Sequence, residues 1–169
     1  MTVRDLDALP AERARELLAA CCGAEPWVEA MLAARPYRSL AGALAAAGRA
    51  WAALSPESLA QVIERHPRLG ESRARAALSA RERAWSAAEQ SGAATGDGEA
   101  IEALARGNEE YERRFGHTFI LCASGLSAAE MLRSLRERLA HDVETERSTT
   151  ARELERIVRL RLGKLLTEA

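Results

Sequence analysis

The sequence has few aromatic residues, few cysteines and no long apolar run. Only 4% of its 169 residues are aromatic, and Val, Ile and Tyr, which favour strands, are scarce. Ala, Leu, Arg and Glu, which favour helices, dominate instead. No segment approaches the roughly 20 apolar residues of a transmembrane helix, and the first ten residues lack the apolar core of a secretory signal. We therefore exclude an all-β fold and expect a cytoplasmic protein without a membrane partner.

The three cysteines, Cys21, Cys22 and Cys122, argue against both a disulfide framework and a metal site. Their number is odd, and an adjacent pair such as Cys21 and Cys22 cannot easily close a normal disulfide. No cysteines or histidines have the spacing of zinc ligands. We therefore expect a reduced protein with no bound metal, in which the cysteines pack as small apolar residues.

The sequence also lacks an excess of charge of either sign, with 24 Lys and Arg against 25 Asp and Glu and a net charge of −1. This balance excludes a strongly basic nucleic-acid-binding protein and gives no attraction to anionic membranes. A hydrophobic content of 47% predicts a folded chain. Because 169 residues suit one ordinary domain, we predict a single all-α domain over residues 1–169.

Signals for the start of a helix recur along the chain. A proline in the first turn, a serine cap, or a serine cap with glutamate three residues later marks such a start. These signals occur at Pro10, Pro26, Ser39, Ser55-Pro56-Glu57, Ser79 with Glu82, and Ser127 with Glu130. Two more helices are predicted, over residues 99 to about 115 and along the leucine-rich C-terminal stretch. Residues 118–123 resemble a strand but stand alone, so we expect an extended, buried connector in a bundle of about seven to nine helices.

His66 is the histidine whose position best suits chemistry. Because Pro67 disfavours helical geometry at the residue before it, the preceding helix must end near His66. The proline also fixes the local turn, so the imidazole could project rigidly into a cleft. The other two histidines, His117 and His141, lie near predicted helix ends, where an exposed or capping role is the ordinary interpretation.

Two further polar groups have both a functional and an ordinary interpretation. Ser86, Glu89 and Gln90 share one face of a predicted helix, so they form either a polar wall for a small ligand or a solvated surface. Arg161 lies beside a stripe of leucines, where it either reaches out to solvent at the edge of the stripe or anchors an anion. The residues alone leave both choices open.

Six blocks of the sequence, taken in order, resemble a known family. They are RPY at 35–37, HPRLG at 66–70, SAAEQSGA at 86–93, NEEY at 108–111, FGHTFILCASG at 115–125 and IVRLRL at 157–162. The sequence resembles the decarboxylases of 2-oxo-4-hydroxy-4-carboxy-5-ureidoimidazoline (OHCU), which act in urate breakdown. It departs from the family pattern at Arg68, where an acidic residue is frequent, and at His117-Thr118, where an aromatic residue and a proline are frequent.

The resemblance implies an all-helical homodimer that converts OHCU to (S)-allantoin and CO2 without a cofactor. It implies that His66 is the catalytic histidine and that Glu89 and Arg161 take part in the reaction. It also implies substrate binding by Pro67, Ser86, Glu89, Gln90, Arg161 and the backbone of Phe119, Ile120, Leu121, Cys122 and Ala123. The alternative is a helical module that binds a ligand or a protein partner without turnover, and the presence of both His66 and Glu89 argues against it.

Overall fold

The structure is a computed structural model that describes residues 1–66, 68–69, 84–85, 88–89, 91–94 and 98–166. All regular secondary structure in these residues is helical, which confirms the all-α prediction. The helices are α1 (Val3–Ala8), α2 (Ala11–Cys21), α3 (Glu25–Ala33), α4 (Leu40–Ala52), α5 (Pro56–Arg65), α6 (Ser91–Ala94), α7 (Gly98–Phe115), α8 (Ala128–Leu139) and α9 (Val143–Leu165). None of the helices described is both long and apolar enough to cross a bilayer.

Most predicted helix starts are confirmed. Ser39 accepts the N–H of Gly42 at 3.0 Å and begins α4. Ser127 and Glu130 form the predicted capping box at α8. The helix α1, which begins with a similar box between Thr2 and Asp5, was not predicted. The capping box predicted at Ser79 and Glu82 lies outside the described residues.

The described chain forms two compact units: unit 1 is Met1–Val62 with Glu155–Ala169, and unit 2 is Ile63–Leu154. In unit 1, α3 packs against α2 and α4. Trp27, Leu18 and Met31 are fully buried there. The Trp27 indole N–H donates to the carbonyl of Ala47 at 3.1 Å, so the polar edge of this large side chain is satisfied within the core.

Unit 2 has a core between α7 and α8. Buried members of this core include Leu69, Leu104, Tyr111, Phe119 and Leu135. Residues 118–123 form neither helix nor strand, and Phe119, Ile120 and Ala123 are buried, which confirms the predicted buried connector. The connector follows Gly116, which has a φ of 77° and ends α7 as predicted.

A buried charge network in unit 2 joins three helices. Arg138 of α8 donates through Nε to Glu146 of α9 at 2.8 Å and through Nη2 to the Thr150 hydroxyl at 3.0 Å. The Tyr111 hydroxyl of α7 donates to Glu146, and the imidazole of His141 lies 2.8 Å from the second Glu146 oxygen. Burial raises the pKa of Tyr111, and the hydrogen bond to Glu146 raises it further. His141 therefore belongs to the edge of a buried network rather than to an exposed helix end.

Candidate active site

His66 lies directly after the last residue of α5, as predicted. Its backbone N–H donates to the carbonyl of Ile63 at 3.0 Å, and its side chain is half-buried. The Ser55 hydroxyl accepts the N–H of Ser58 at 3.2 Å at the other end of this helix, so the serine cap is also confirmed. Pro67, the next predicted site residue, lies outside the described residues.

The chain just after His66 is attached to α7 at three points. The Arg68 guanidinium donates to both oxygens of Glu112, at 2.8 Å from Nε and 2.5 Å from Nη2. Leu69 is 5% exposed and belongs to the core of unit 2. The Asn108 side-chain amide donates to the Leu69 carbonyl at 3.1 Å. These contacts hold Arg68 and Leu69 against α7.

A cavity of about 500 Å³ opens beside this attachment. The described residues that line it come from the end of α5, from α7, from the turn after α7 and from the start of the connector: Ile63, Glu64, Glu112, Gly116, His117 and Thr118. His117 is half-buried, and its Nδ1 lies 3.0 Å from the Thr118 carbonyl. The volume is sufficient for a small organic molecule.

Glu89 is helical and only 6% exposed, so it does not belong to a solvated surface. Ser86 and Gln90, which were predicted to share its face, lie outside the described residues. Shortly after Glu89, Gly92 approaches the loop before α8 closely. A Cβ at Gly92 would lie 1.9 Å from the Leu126 carbonyl oxygen, so only glycine fits there. Gly92, near the end of the SAAEQSGA block, therefore packs close to the loop that follows the connector.

Charged side chains hold the connector through its backbone. Arg138 Nη1 donates to the Ile120 carbonyl at 2.6 Å, and the Cys122 N–H donates to Glu153 Oε2 at 2.8 Å. The orientation of the peptide groups in this non-helical segment is thus determined by α8 and α9. Substrate binding by the connector backbone stays a prediction.

Arg161 lies in the part of α9 that belongs to unit 1. It is 7% exposed. A side chain that reached solvent at the edge of an apolar stripe would be more exposed. The burial favours the interpretation in which Arg161 anchors a polar or anionic group.

Neither metal ligands nor disulfides are found in the described part of the chain. No group of three His, Cys, Asp or Glu residues there is placed to hold a metal ion. The three cysteines are thiols in this structure, with Cys21 and Cys22 buried and Cys122 half-buried.

The sequence predicted the residues proposed to react, but not the side chains that contact the neighbouring backbone and Arg68. Asn108 and Glu112 are four residues apart, which places them on one face of α7. That spacing, together with the departure at Arg68 from the family pattern, was the available signal. Nothing in the sequence pointed to Glu153 or Arg138 as partners of the connector.

The family model and the relatives found by comparison with known proteins all indicate the same family. The family model described as OHCU decarboxylase matches residues 7–163. The chain is 32% identical over 149 residues to the uric acid degradation bifunctional protein TTL of Arabidopsis thaliana, an alignment that covers 88% of the chain and 46% of that protein. It is 30% identical over 140 residues to the 2-oxo-4-hydroxy-4-carboxy-5-ureidoimidazoline decarboxylase of Haloferax volcanii, covering 82% and 80%.

A solved structure agrees with the sequence relatives. A crystal structure of OHCU decarboxylase in the presence of (S)-allantoin has a TM-score of 0.72 to this fold and 28% identity, covering 87% of the chain and 94% of that protein. The chain spans less than half the length of the bifunctional plant relative. The match to the family model includes every proposed site residue from His66 to Arg161. This chain belongs to the OHCU decarboxylase family.

Proposed function

We propose that this protein is a carboxy-lyase that converts OHCU to (S)-allantoin and CO2 in urate breakdown. The observation that carries the proposal is the family match over residues 7–163, which spans the whole candidate site. The proposal is also supported by the relative from Haloferax volcanii, which is named as this decarboxylase. The solved relative was crystallised in the presence of (S)-allantoin, the product of the proposed reaction.

The substrate carries its own electron sink, so the proposed reaction needs no cofactor. A carboxylate and a hydroxyl share one ring carbon, beside an imine-like carbon. The bond to the carboxylate breaks, its electron pair forms a double bond to the neighbouring carbon, and the C=N electrons pass to nitrogen, which takes a proton. CO2 leaves an enol. A proton added to one face of the former imine carbon, with loss of the hydroxyl proton, gives one enantiomer of allantoin.

His66 is the proposed acid/base in these proton transfers. An imidazole has an ordinary pKa near neutrality, which suits both donating and accepting a proton. A proton delivered to one face of a planar enol requires a donor in a fixed position. The hydrogen bond from the His66 backbone to α5 and the attachment of Arg68 and Leu69 to α7 support this role.

The remaining polar residues are proposed to orient the substrate. The Glu89 carboxylate accepts a ring or ureido N–H, and Ser86 and Gln90 add polar contacts on the same helical face. Arg161 holds an anionic or carbonyl oxygen, a charge-assisted contact that contributes roughly 1.5–3 kcal/mol. Pro67 and the connector backbone complete the proposed binding surface. The low exposure of Glu89 and Arg161 supports these roles, because such side chains are rarely buried without a polar task.

Turnover of freshly generated OHCU tests the proposal. We expect CO2 release well above the rate without protein, and circular dichroism of the product should report one enantiomer of allantoin. Uncatalysed protonation of both faces of the enol gives a racemate, so the optical signal separates catalysis from spontaneous decay. A rate and a racemic product that match the buffer control would favour the alternative, a helical binding module without turnover.

The assembly and location of the protein form a second part of the proposal. Its resemblance to the family supports a homodimer that acts on a small molecule in the cytoplasm, without a nucleic-acid or membrane partner. Sedimentation velocity of the purified chain tests the assembly. We expect a species of twice 18.3 kDa, and a monomer at every concentration would contradict the dimer.

A further inference from the structure

We infer that Arg68, Asn108 and Glu112 are positioning residues that hold His66 in place through the backbone that follows it. We call these three residues the α7 anchor. The inference rests on the proposed function, because it assigns a purpose to the anchor only if His66 is the acid/base. The resemblance to the family does not supply it, since Arg68 occupies a position where the family frequently has an acidic residue.

The anchor is more specific than an ordinary surface ion pair. Arg68 makes a two-pronged contact with both oxygens of Glu112, a geometry that fixes the orientation of the guanidinium as well as its distance. The side chains are 29% and 32% exposed, so the pair is partly shielded from solvent. Such shielding makes the attraction stronger than it is between fully exposed charges.

Asn108 adds a second attachment one turn earlier on the same helix. It is 1% exposed, and its amide donates to the Leu69 carbonyl at 3.1 Å. Asn108 and Glu112 therefore hold two consecutive residues, Leu69 and Arg68, from one face of α7. Leu69 also packs in the core with Leu104 and Tyr111 of that helix.

The anchor acts on a segment whose other end is also fixed. The His66 N–H bonds to Ile63 in the last turn of α5, so the helix determines the direction in which the chain leaves it. Described contacts therefore hold the chain both at His66 itself and at residues 68 and 69, which are attached to α7. A displacement of about 1 Å at a reacting group can lower a rate by about 100-fold, so this restraint should affect turnover directly.

The first test is a double-mutant cycle on the half-exposed pair. Arg68→Ala and Glu112→Ala should each lower kcat about 10- to 100-fold with little change in KM. The double variant should be no slower than the slower single variant, because both changes remove the same contact. Glu112→Gln keeps one acceptor for the guanidinium and should recover part of kcat.

A matched control lies on the same helix. Glu102 and Arg106 form an ion pair at 3.6 Å with side chains 77% and 69% exposed, away from the anchor. Glu102→Ala should leave kcat and KM unchanged. Wild-type kcat in Arg68→Ala and Glu112→Ala, or additive losses in the double variant, would overturn the inference.

The second test does not depend on turnover. The chain has only three histidines, so imidazole spectra of protein labelled with ¹³C-histidine can be assigned to His66 with a His66→Asn variant. The His66 signal should be sharp in the wild type and in Glu102→Ala, and shifted or broadened in Arg68→Ala and Glu112→Ala. An unchanged His66 signal in both anchor variants would also overturn the inference. If the wild-type protein did not turn over OHCU but the His66 signal changed in the anchor variants, the proposed function would be refuted. The positional role of the anchor would still stand.

Discussion

Units 1 and 2 satisfy their buried polar atoms in different ways. In unit 1, buried polar tips bond to backbone carbonyls, as Trp27 does with Ala47 at 3.1 Å and Tyr37 does with Met31 at 2.6 Å. In unit 2, Arg138 and Asn108 also donate to backbone carbonyls, but buried charged side chains bond to each other as well, with Arg138 and Glu146 at the centre. Among the described residues, unit 1 has one buried polar or charged residue of this kind, Arg161. Unit 2 has five: Glu89, Asn108, Arg138, Glu146 and Thr150.

Both units have an apolar core, but in the described residues the core of unit 2 is joined by a buried network of charged side chains. Apolar packing depends on volume and tolerates substitutions of similar shape. A buried charge network depends on each partner, since removal of one leaves the other without compensation. His66, Glu89 and the connector all lie in unit 2. The unit with the more specific interior thus carries most of the proposed site, where fixed geometry matters most.

The largest predicted effect concerns His66. His66→Asn should lower turnover about 10²- to 10⁴-fold, the usual range for a positioned acid/base. The half-buried side chain lies at the end of α5, so helicity measured by circular dichroism should be unchanged. Steady-state allantoin formation measures the loss. Near-wild-type turnover by a folded variant would remove His66 from the mechanism.

The next effect is on the stability of unit 2. Arg138→Met leaves Glu146 buried without its cation, and we expect the free energy of unfolding to fall by about 3–5 kcal/mol. The double variant Arg138→Met with Glu146→Leu should recover much of this loss, because no uncompensated charge remains. Denaturant titration at neutral pH measures both. A loss below 1 kcal/mol in the single variant would show that the network is not essential to unit 2.

A matched change in unit 1 should lower the free energy of unfolding by a comparable or smaller amount, but for a different reason. Leu18 is fully buried, and Leu18→Ala creates a cavity that should lower the free energy of unfolding by about 2–5 kcal/mol. Because no charge is involved, the loss should be the same at pH 7 and near pH 3, the range over which the charge network of unit 2 should weaken. A loss that changed strongly with pH would break the distinction between the two units.

Acid should weaken the charge network of unit 2. Burial raises the pKa of Glu146, but hydrogen bonds from Arg138 and Tyr111 and the charge of Arg138 lower it more, so its pKa lies below the ordinary value of 4.5. A lowered folded-state pKa gives stability that is fully present above pH 4.5 and is lost as pH falls through the folded value. His141 and Thr150 also face this carboxylate. Unfolding titrations between pH 7 and 3 should show a shallower decline in the Arg138→Met, Glu146→Leu variant than in the wild type.

Features of the fold are predictable from the sequence when the interactions that cause them join residues close together in the chain. Ser39 and Ser127 act on backbone groups three residues away, so the sequence predicts the helices that they begin. The pairing of Arg138 with Glu146 and Tyr111 is not predictable in this way. Each of these residues is ordinary on its own helix, and only the packing of α7, α8 and α9 brings them together. Prediction of one domain over residues 1–169 stays untested beside the two compact units.

The proposed site shows the same division. Family resemblance leads to His66, Glu89 and Arg161, because those positions lie in blocks that match the family. It does not lead to Glu112 or Glu153, whose partners are Arg68 and the Cys122 backbone. The two partners are separated by 31 positions in the Cys122–Glu153 contact and by 44 positions in the Arg68–Glu112 contact. Such pairs come together only in the folded chain, so the sequence alone does not predict them.

The smallest predicted effects compare Glu89 of unit 2 with Arg161 of unit 1. Glu89→Gln keeps the size and one acceptor but loses the charge, so it should lower kcat more than it raises KM, because charge at the ring matters most as the enol forms. Arg161→Lys keeps the charge but loses the planar fork, so it should raise KM about 10-fold with a smaller loss of kcat. Allantoin formation over a range of OHCU concentrations separates the two constants. If Arg161→Lys changed neither constant, Arg161 would have no part in substrate binding, and its burial in unit 1 would serve only the packing of α9.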